Sequence, residues 1–389
     1  MSIYQKASLV QIPSGYKAAD DKLYSVVPSN GDGDFTIDSS PLSTRVNKDG
    51  LIESVATDQA RLNYDFTNPQ DPHLLLEPSR TNECLYSKTL SSWSELSGGS
   101  LQTITDNDAV APDGSLTAST ITFTGTGISL LRQFTNKAYT SNKHSSSFYA
   151  KKISGNGSVF FGITDTETEF TPTDEWVRYE VNDVTPSDFG VNLFLDLNFD
   201  CSAGDKIAVW GMQLEEGTYS TSIIETSGSA VTRTVDFCFI NSGLQNVLNT
   251  SEGTLFVDLE VPRVATTSDF DRIVLSDQNS STDRLIFDNF GGNWRVLLLS
   301  SGNNVNKTVV NVTANQRIKI AIAYSATGLR ISYDGNTPTT TSGTYAPTTT
   351  LESFKFSNKD GGSKVQGKIY QAIYFNTALS DSELQTLTS

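Results

Sequence analysis

The sequence predicts an all-β protein: an N-terminal module, then two antiparallel jelly-roll-like β-sandwiches, closed by one short C-terminal helix. Three observations predict it. Only 37% of the 389 residues are hydrophobic, and Ser, Thr, Asn, Asp and Gly are abundant, a composition suited to many short strands joined by polar turns. Strand-length apolar runs alternate with polar residues at period two and are separated by turn formers such as "SGNGS" and "SAGD". Long amphipathic helical patterns are scarce. The length exceeds what one hydrophobic core organises, so several domains are expected.

Residues 1–82 hold short apolar bursts, "SLVQIP", "KLYSVVP", "DGLIESV" and "HLLLEP", each stopped by a proline or a glycine turn. Such bursts bury little area alone, so the segment is expected to be ordered by docking against something else. Within it, "STRVNKDGLIE" at residues 43–53 is a hairpin signal.

Residues 83–240 read as an antiparallel sandwich, with strands at "SSFYAKKI", "SVFFGITD", "EWVRYEV", "GVNLFLDLNFD" and "DKIAVWGMQLEEG". In "VNLFLDLNFD" the set Val191, Leu193, Leu195, Leu197 and Phe199 is expected in the core. Asn192, Phe194, Asp196, Asn198 and Asp200 are expected to face away from it.

A second sandwich is expected over residues 250–389, beyond a polar connector at 241–252. Its strands begin at "EGTLFVDLEVP", and Asp334-Gly335 marks a hairpin. In "ALSDSELQTL", Ser380 and Glu383 have capping-box spacing, with Leu379 and Leu384 placed as a hydrophobic staple, which predicts one helix at the end.

Charge narrows the function classes. Lys and Arg number 28 against 44 Asp and Glu, a net of −16, so the field of the chain repels phosphate backbones and anionic lipid. Neither nucleic acid nor a membrane surface is an expected partner. The opening "MSIYQKASLVQIPSGYK" lacks a basic region followed by an apolar run, and no stretch approaches the ~20 apolar residues of a span, so production in the cytoplasm without a signal peptide is expected.

Cys84, Cys201 and Cys238 lie far apart without CxxC spacing and are expected as buried thiols. With His73 and His144 the only histidines, a zinc site or a nucleophilic triad is hard to assemble. His73, before an apolar run, is expected as a packed, hydrogen-bonded residue. Residues 30–34, "NGDGD", have the Asp32 and Asp34 spacing of a calcium loop, but Pro41 stands where the loop needs its glutamate, so a polar turn is expected. No cofactor is expected; structural calcium is left without assigned ligands.

Three pieces carry a resemblance: "SLVQIPSGYKAADDKLYSVVPSNGDGDF" with "TRVNKDGLIE"; "LLLEPSRTN" with "YSKTLSSW"; and "WGMQLEEGTYSTSIIETSGSAVTR". Together they resemble the N-terminal and carbohydrate-module-like regions of structural virion proteins of tailed bacteriophages, of the head-fibre and tail-fibre class. From Glu252 onward the chain resembles the concanavalin A-like, laminin G-like sandwich. The resemblance implies a virion-surface protein whose residues 1–82 attach it to other virion structural proteins of the capsid or tail. It implies two sandwiches presented for adhesion, in a homo-oligomer with a trimer favoured.

Two alternative functions follow, one of binding and one of catalysis. The chain is expected to be non-enzymatic: Asp258 and Glu260 share a strand face as in concanavalin A-like glucanases, but Phe256 stands where the first carboxylate of that triplet belongs. A host-glycan surface is the alternative function, because sugar recognition needs aromatic faces beside carboxylates and amides. Trp176, Arg178, Phe194, Asp196 and Asn198 supply those types on the expected outer face of the middle sandwich. A glycan depolymerase is the third reading. Trp210 and Trp294 alternate with apolar neighbours and are expected in the core.

Overall fold

The computed structural model describes residues 2–13, 22–65, 68–97, 101–164, 166–186, 192–277, 282–357 and 365–389. Among them the chain is almost entirely strand, with a single α-helix at Asp381–Thr388. Contacts divide it into two units that are not consecutive in sequence. Unit 1 comprises Met1–Pro41, Val55–Pro78 and Val235–Ser389, and unit 2 comprises Leu42–Ser54 and Ser79–Thr234.

Unit 1 is a sandwich of a nine-stranded and an eight-stranded sheet among the described residues. Strand alternation sorts its side chains: Leu255, Val257 and Leu259 enter the core with Ile320 and Ile322, against Phe287, Val296 and Phe354 of the other sheet. Phe256 points the other way and packs under the helix with Ala321, Ile373, Leu384 and Leu387. The helix is set as its sequence predicts. The Glu383 carboxylate accepts the Ser380 backbone N–H at 2.8 Å, and Leu379 and Leu384 share one buried cluster. Asp334 and Gly335 take positive φ, 44° and 72°, in the turn between the paired strands Gly328–Tyr333 and Thr339–Ser342.

The N-terminal segment supplies strands to both sheets of this unit. Leu9–Gln11 pairs with Gly367–Phe375, and Phe35–Asp38 pairs with Phe237–Ile240. Each isolated burst therefore gains a ladder and a core, which is what its low hydrophobic content requires. Residues 241–252, polar as a string, bury Leu244, Val247 and Leu248 in the same core. Arg61 is 1% exposed; it donates to Glu77 at 2.5 Å and to the Asp236 carboxylate, which also accepts the Glu77 backbone N–H at 2.8 Å. A fully buried guanidinium is tolerable only with such paired carboxylates.

Among the described residues unit 2 is a sandwich of two five-stranded sheets. The first, called here the Phe194 sheet, runs Ser94–Ser97, Gly127–Ala138, Asn192–Cys201, Ser158–Ile163, Thr166–Phe170. The second, the Trp210 sheet, runs Gln102–Ala109, Ala118–Phe123, Lys206–Glu216, His144–Ser154, Val177–Val184. Leu193, Leu195, Leu197 and Phe199 enter the core between them, with Phe148, Phe161, Ile121 and Val209; Val191 lies outside the described residues. In the Lys206–Glu216 strand, Gly211 at φ 67° sits where the register slips between Ser147↔Gln213 and Tyr149↔Trp210. This bulge turns Trp210 outward while Met212 and Leu214 stay in the core.

The three cysteines are free and buried, and burial pushes the Cys201 thiol up to about 12. His73 is buried, with Nε2 3.0 Å from Asn63 Nδ2. Trp294 packs in the unit 1 core and Trp210 is fully buried. At the "NGDGD" turn, Asp34 accepts the Ser25 N–H at 2.9 Å and Asp32 accepts from Asn30 at 2.8 Å.

Candidate functional site

The five residues singled out from the sequence do not form one surface. Arg178 lies on the Val177–Val184 strand, with Trp176 just before it, in the Trp210 sheet; Phe194, Asp196 and Asn198 lie on the Asn192–Cys201 strand of the Phe194 sheet. Period two placed each residue on an outer face correctly, but the two strands belong to opposite layers. Their outer faces point in opposite directions.

The outer face of the Trp210 sheet is covered by chain. The hairpin of Thr44–Val46 and Ile52–Ser54 lays Ile52 and Val46 against Trp210, Tyr149, Ala118 and Ile223. It is tied down by Thr44 Oγ1 donating to Ile223 O at 2.9 Å and by Ile52 N donating to Pro112 O at 3.0 Å. Gln213 and Glu215, both fully buried, hold the 221–224 segment: Glu215 accepts the Thr221 N–H at 2.8 Å and Gln213 accepts the Ile224 N–H at 2.7 Å. Trp176 joins this packing, its Nε1 donating to Val110 O at 3.0 Å. Arg178 donates to Ser147 Oγ at 2.9 Å and to Thr221 O at 2.5 Å. Both are packing residues of a covered face.

The Phe194 sheet differs. Cross-strand register puts Arg132, Asp196, Gly162 and Glu167 in one row of its outer face, and Leu130, Asn198, Phe160 and Glu169 in the next. Phe134 stands opposite Phe194, and Ile128 opposite Asp200. Asp196 is 1% exposed because Arg132 closes over it, with Nε on Oδ1 and Nη2 on Oδ2, both at 2.6 Å. The same guanidinium lies 3.7 Å over the Phe194 ring. Asn198 Nδ2 donates to both Glu167 oxygens at 2.7 Å, and Asn198 Oδ1 has no partner among the described residues. Gly162 belongs here for a steric reason: a Cβ would stand 1.8 Å from Thr166 O. Phe134 is 47% exposed and Ile128 64%.

An arginine closing over a buried aspartate beside an aromatic ring is not itself diagnostic. Unit 1 repeats it at Asp288, which takes Arg272 at 3.0 Å and Arg295 at 2.8 Å, and at Asp258, which takes Arg317 at 2.6 Å with Arg317 3.6 Å over Tyr370. It is how these sheets neutralise a carboxylate on a half-solvated face. The exposed Phe134 ring next to the pair sets the Phe194 sheet apart.

Arg132, Phe134, Phe160 and Glu167 were missed by sequence reasoning. In "GISLLRQFT" apolar residues occur at both parities, Leu130 and Leu131 being adjacent, so no outer set stands out. Gln133 breaks the pattern further, being buried and accepting the Leu85 N–H at 2.5 Å. Knowledge of strand neighbours was the missing ingredient.

Among the described residues no group of three or more His, Cys, Asp and Glu side chains is arranged to hold a metal. Asp258 and Glu260 do share a face, and each meets a cation, Arg317 at 2.6 Å and Lys368 at 3.1 Å. Asp258 is buried beneath its arginine. No helix among the described residues is long and apolar enough to cross a membrane.

Neither a family model nor a curated protein sequence matches the chain. Among solved structures it is similar to domain 4 of AbnA, a GH43 extracellular arabinanase from Geobacillus stearothermophilus, in complex with arabinotriose. The identity is 12%, over 45% of this chain and 83% of that one, with a TM-score of 0.34. It is similar to the Ruminococcus gnavus IT-sialidase CBM40 bound to alpha2,6 sialyllactose, at 12% identity over 38% of this chain and 88% of that one, TM-score 0.30. The tandem CBM22-1-CBM22-2 domain of Paenibacillus barcinonensis Xyn10C matches at 8% identity over 75% of this chain and 96% of that one, TM-score 0.27.

Proposed function

We propose that this chain is a non-catalytic, glycan-binding β-sandwich protein, and that the outer face of the Phe194 sheet is its saccharide surface. The observation that carries the proposal is the asymmetry of unit 2. One outer face is covered by the 44–54 hairpin and the 221–224 segment. The other leaves the Phe134 ring exposed opposite Phe194, on a face that further along carries Asn198, Asp200, Glu167 and Glu169. A ring of this kind packs against the C–H face of a pyranose, and the exposed carboxylates further along the face take hydroxyls of an extended oligosaccharide. The cation pairing of Asp258 and Glu260 supports binding over hydrolysis, because neither is left as a free nucleophile or acid. The resemblance of the N-terminal run to tailed-phage fibre proteins supports display on a virion surface, with residues 1–82 contributing attachment to capsid or tail and a homotrimer as the assembled form.

An oligosaccharide array probed with the purified chain tests the proposal. Binding is expected, and Phe134→Ala should weaken it about tenfold or more, the range for losing an aromatic anchor. Undiminished binding by a folded Phe134→Ala protein would overturn the assignment of this face.

A further inference from the structure

We infer that the saccharide taken by the Phe194 sheet is a non-acidic one, neutral or amine-bearing, and that uronic and sialic acids are rejected; the inference rests on the glycan reading above. Among the described residues the outer face presents one guanidinium, Arg132, against four carboxylates: Asp196 and Asp200 on one strand, Glu167 and Glu169 on another. The strand between those two, Ser158–Ile163, contributes only Ser158, Phe160 and Gly162. Carboxylate recognition needs a free arginine fork or its equivalent. Here both Nε and Nη2 of Arg132 are committed to Asp196 at 2.6 Å, and its plane lies on Phe194. A sugar carboxylate would meet three further acidic groups and, among the described residues of this face, no cation beyond the paired Arg132, which is electrostatically unfavourable. The acceptors left exposed, Asp200 and Glu169, match donors: sugar hydroxyls or an ammonium.

The test is a matched panel of neutral, amine-bearing and uronate- or sialate-bearing oligosaccharides, measured by titration with the full chain and with the double variant Glu167→Gln, Glu169→Gln. The unaltered chain should bind neutral or amine-bearing members at least tenfold more tightly than acidic ones. The double variant should narrow that ratio severalfold, and added salt should narrow it in the unaltered chain. Acidic members bound as tightly as neutral ones overturn the selectivity alone. A ratio unmoved by both the variant and salt also overturns it. Failure to bind any member overturns the glycan reading and the selectivity with it.

Discussion

Phe134 and Phe194 face each other across two paired strands with ring centroids 5.7 Å apart, yet Phe134 is 47% exposed and Phe194 only 3%. The Arg132 guanidinium makes the difference. It lies 3.7 Å over Phe194 but 5.9 Å from the centre of Phe134. One ring is a floor for the ion pair and its neighbour is left to solvent.

The two rings should therefore separate stability from binding. Phe194→Ala removes a buried ring and is expected to cost about 3 kcal/mol or more. Phe134→Ala, half in water already, should cost under about 1 kcal/mol. Urea unfolding of the two variants checks the contrast, and equal losses would contradict the roofing described.

Arg132→Met should cost about 3 kcal/mol, because it strands the Asp196 carboxylate beside Phe194 without that partner. Adding Asp196→Leu should recover most of the loss. A thermodynamic cycle over the two single variants and the double one measures the coupling; additive losses would show that the pair does not act as a unit.

Deleting residues 1–70 should leave neither unit intact. The deletion removes Leu9–Gln11 and Phe35–Asp38 from the sheets of unit 1, and it strips Ile52 from Trp210 in unit 2. An insoluble product, or one that binds a hydrophobic dye, is expected. A soluble truncated chain with native near-ultraviolet circular dichroism would refute this.

His73 should make stability pH-dependent. Burial, with a contribution from Lys368 and against the pull of Asp65, lowers it from 6.5 to about 4. Between those values the unfolded chain takes up a proton that the folded chain refuses. The contribution is complete above about pH 6.5 and is lost as pH falls towards 4, about 3 kcal/mol in all. His73→Gln should flatten that part of the curve in unfolding experiments at pH 7 and 4.5; an unchanged slope would assign it to other groups.

Local chemistry was legible in the sequence wherever a few neighbouring residues decide it. The Asp334-Gly335 turn, the Ser380 and Glu383 cap and the inward set from Leu193 to Phe199 all depend on short-range sterics, capping or period two. Layer membership was not legible. Nothing in "EWVRYEV" or "VNLFLDLNFD" states that these strands sit in different sheets, because pairing partners are chosen by packing far along the chain. For the same reason Trp176, exposed by pattern, is packed in the cluster that a hairpin more than a hundred residues earlier completes, and Arg178 is tied to Ser147 and to Thr221 of the 221–224 segment. The N-terminal bursts were legible as strands in need of a host, though not as edges of the C-terminal sandwich.

The pairing of Leu9–Gln11 with Gly367–Phe375 sets an order of events on the ribosome. Unit 2 has all its strands once Thr234 has emerged, whereas Met1–Pro41 must wait for partners made after Val235. Until those partners are made, Leu9, Leu23, Phe35 and Ile37, all buried in the finished core, lack that cover. A long apolar strand in that position would be an aggregation seed. Short bursts broken by proline, glycine and aspartate are safe to leave waiting, and the thinness of this segment's hydrophobic content is what a first-made, last-placed strand requires.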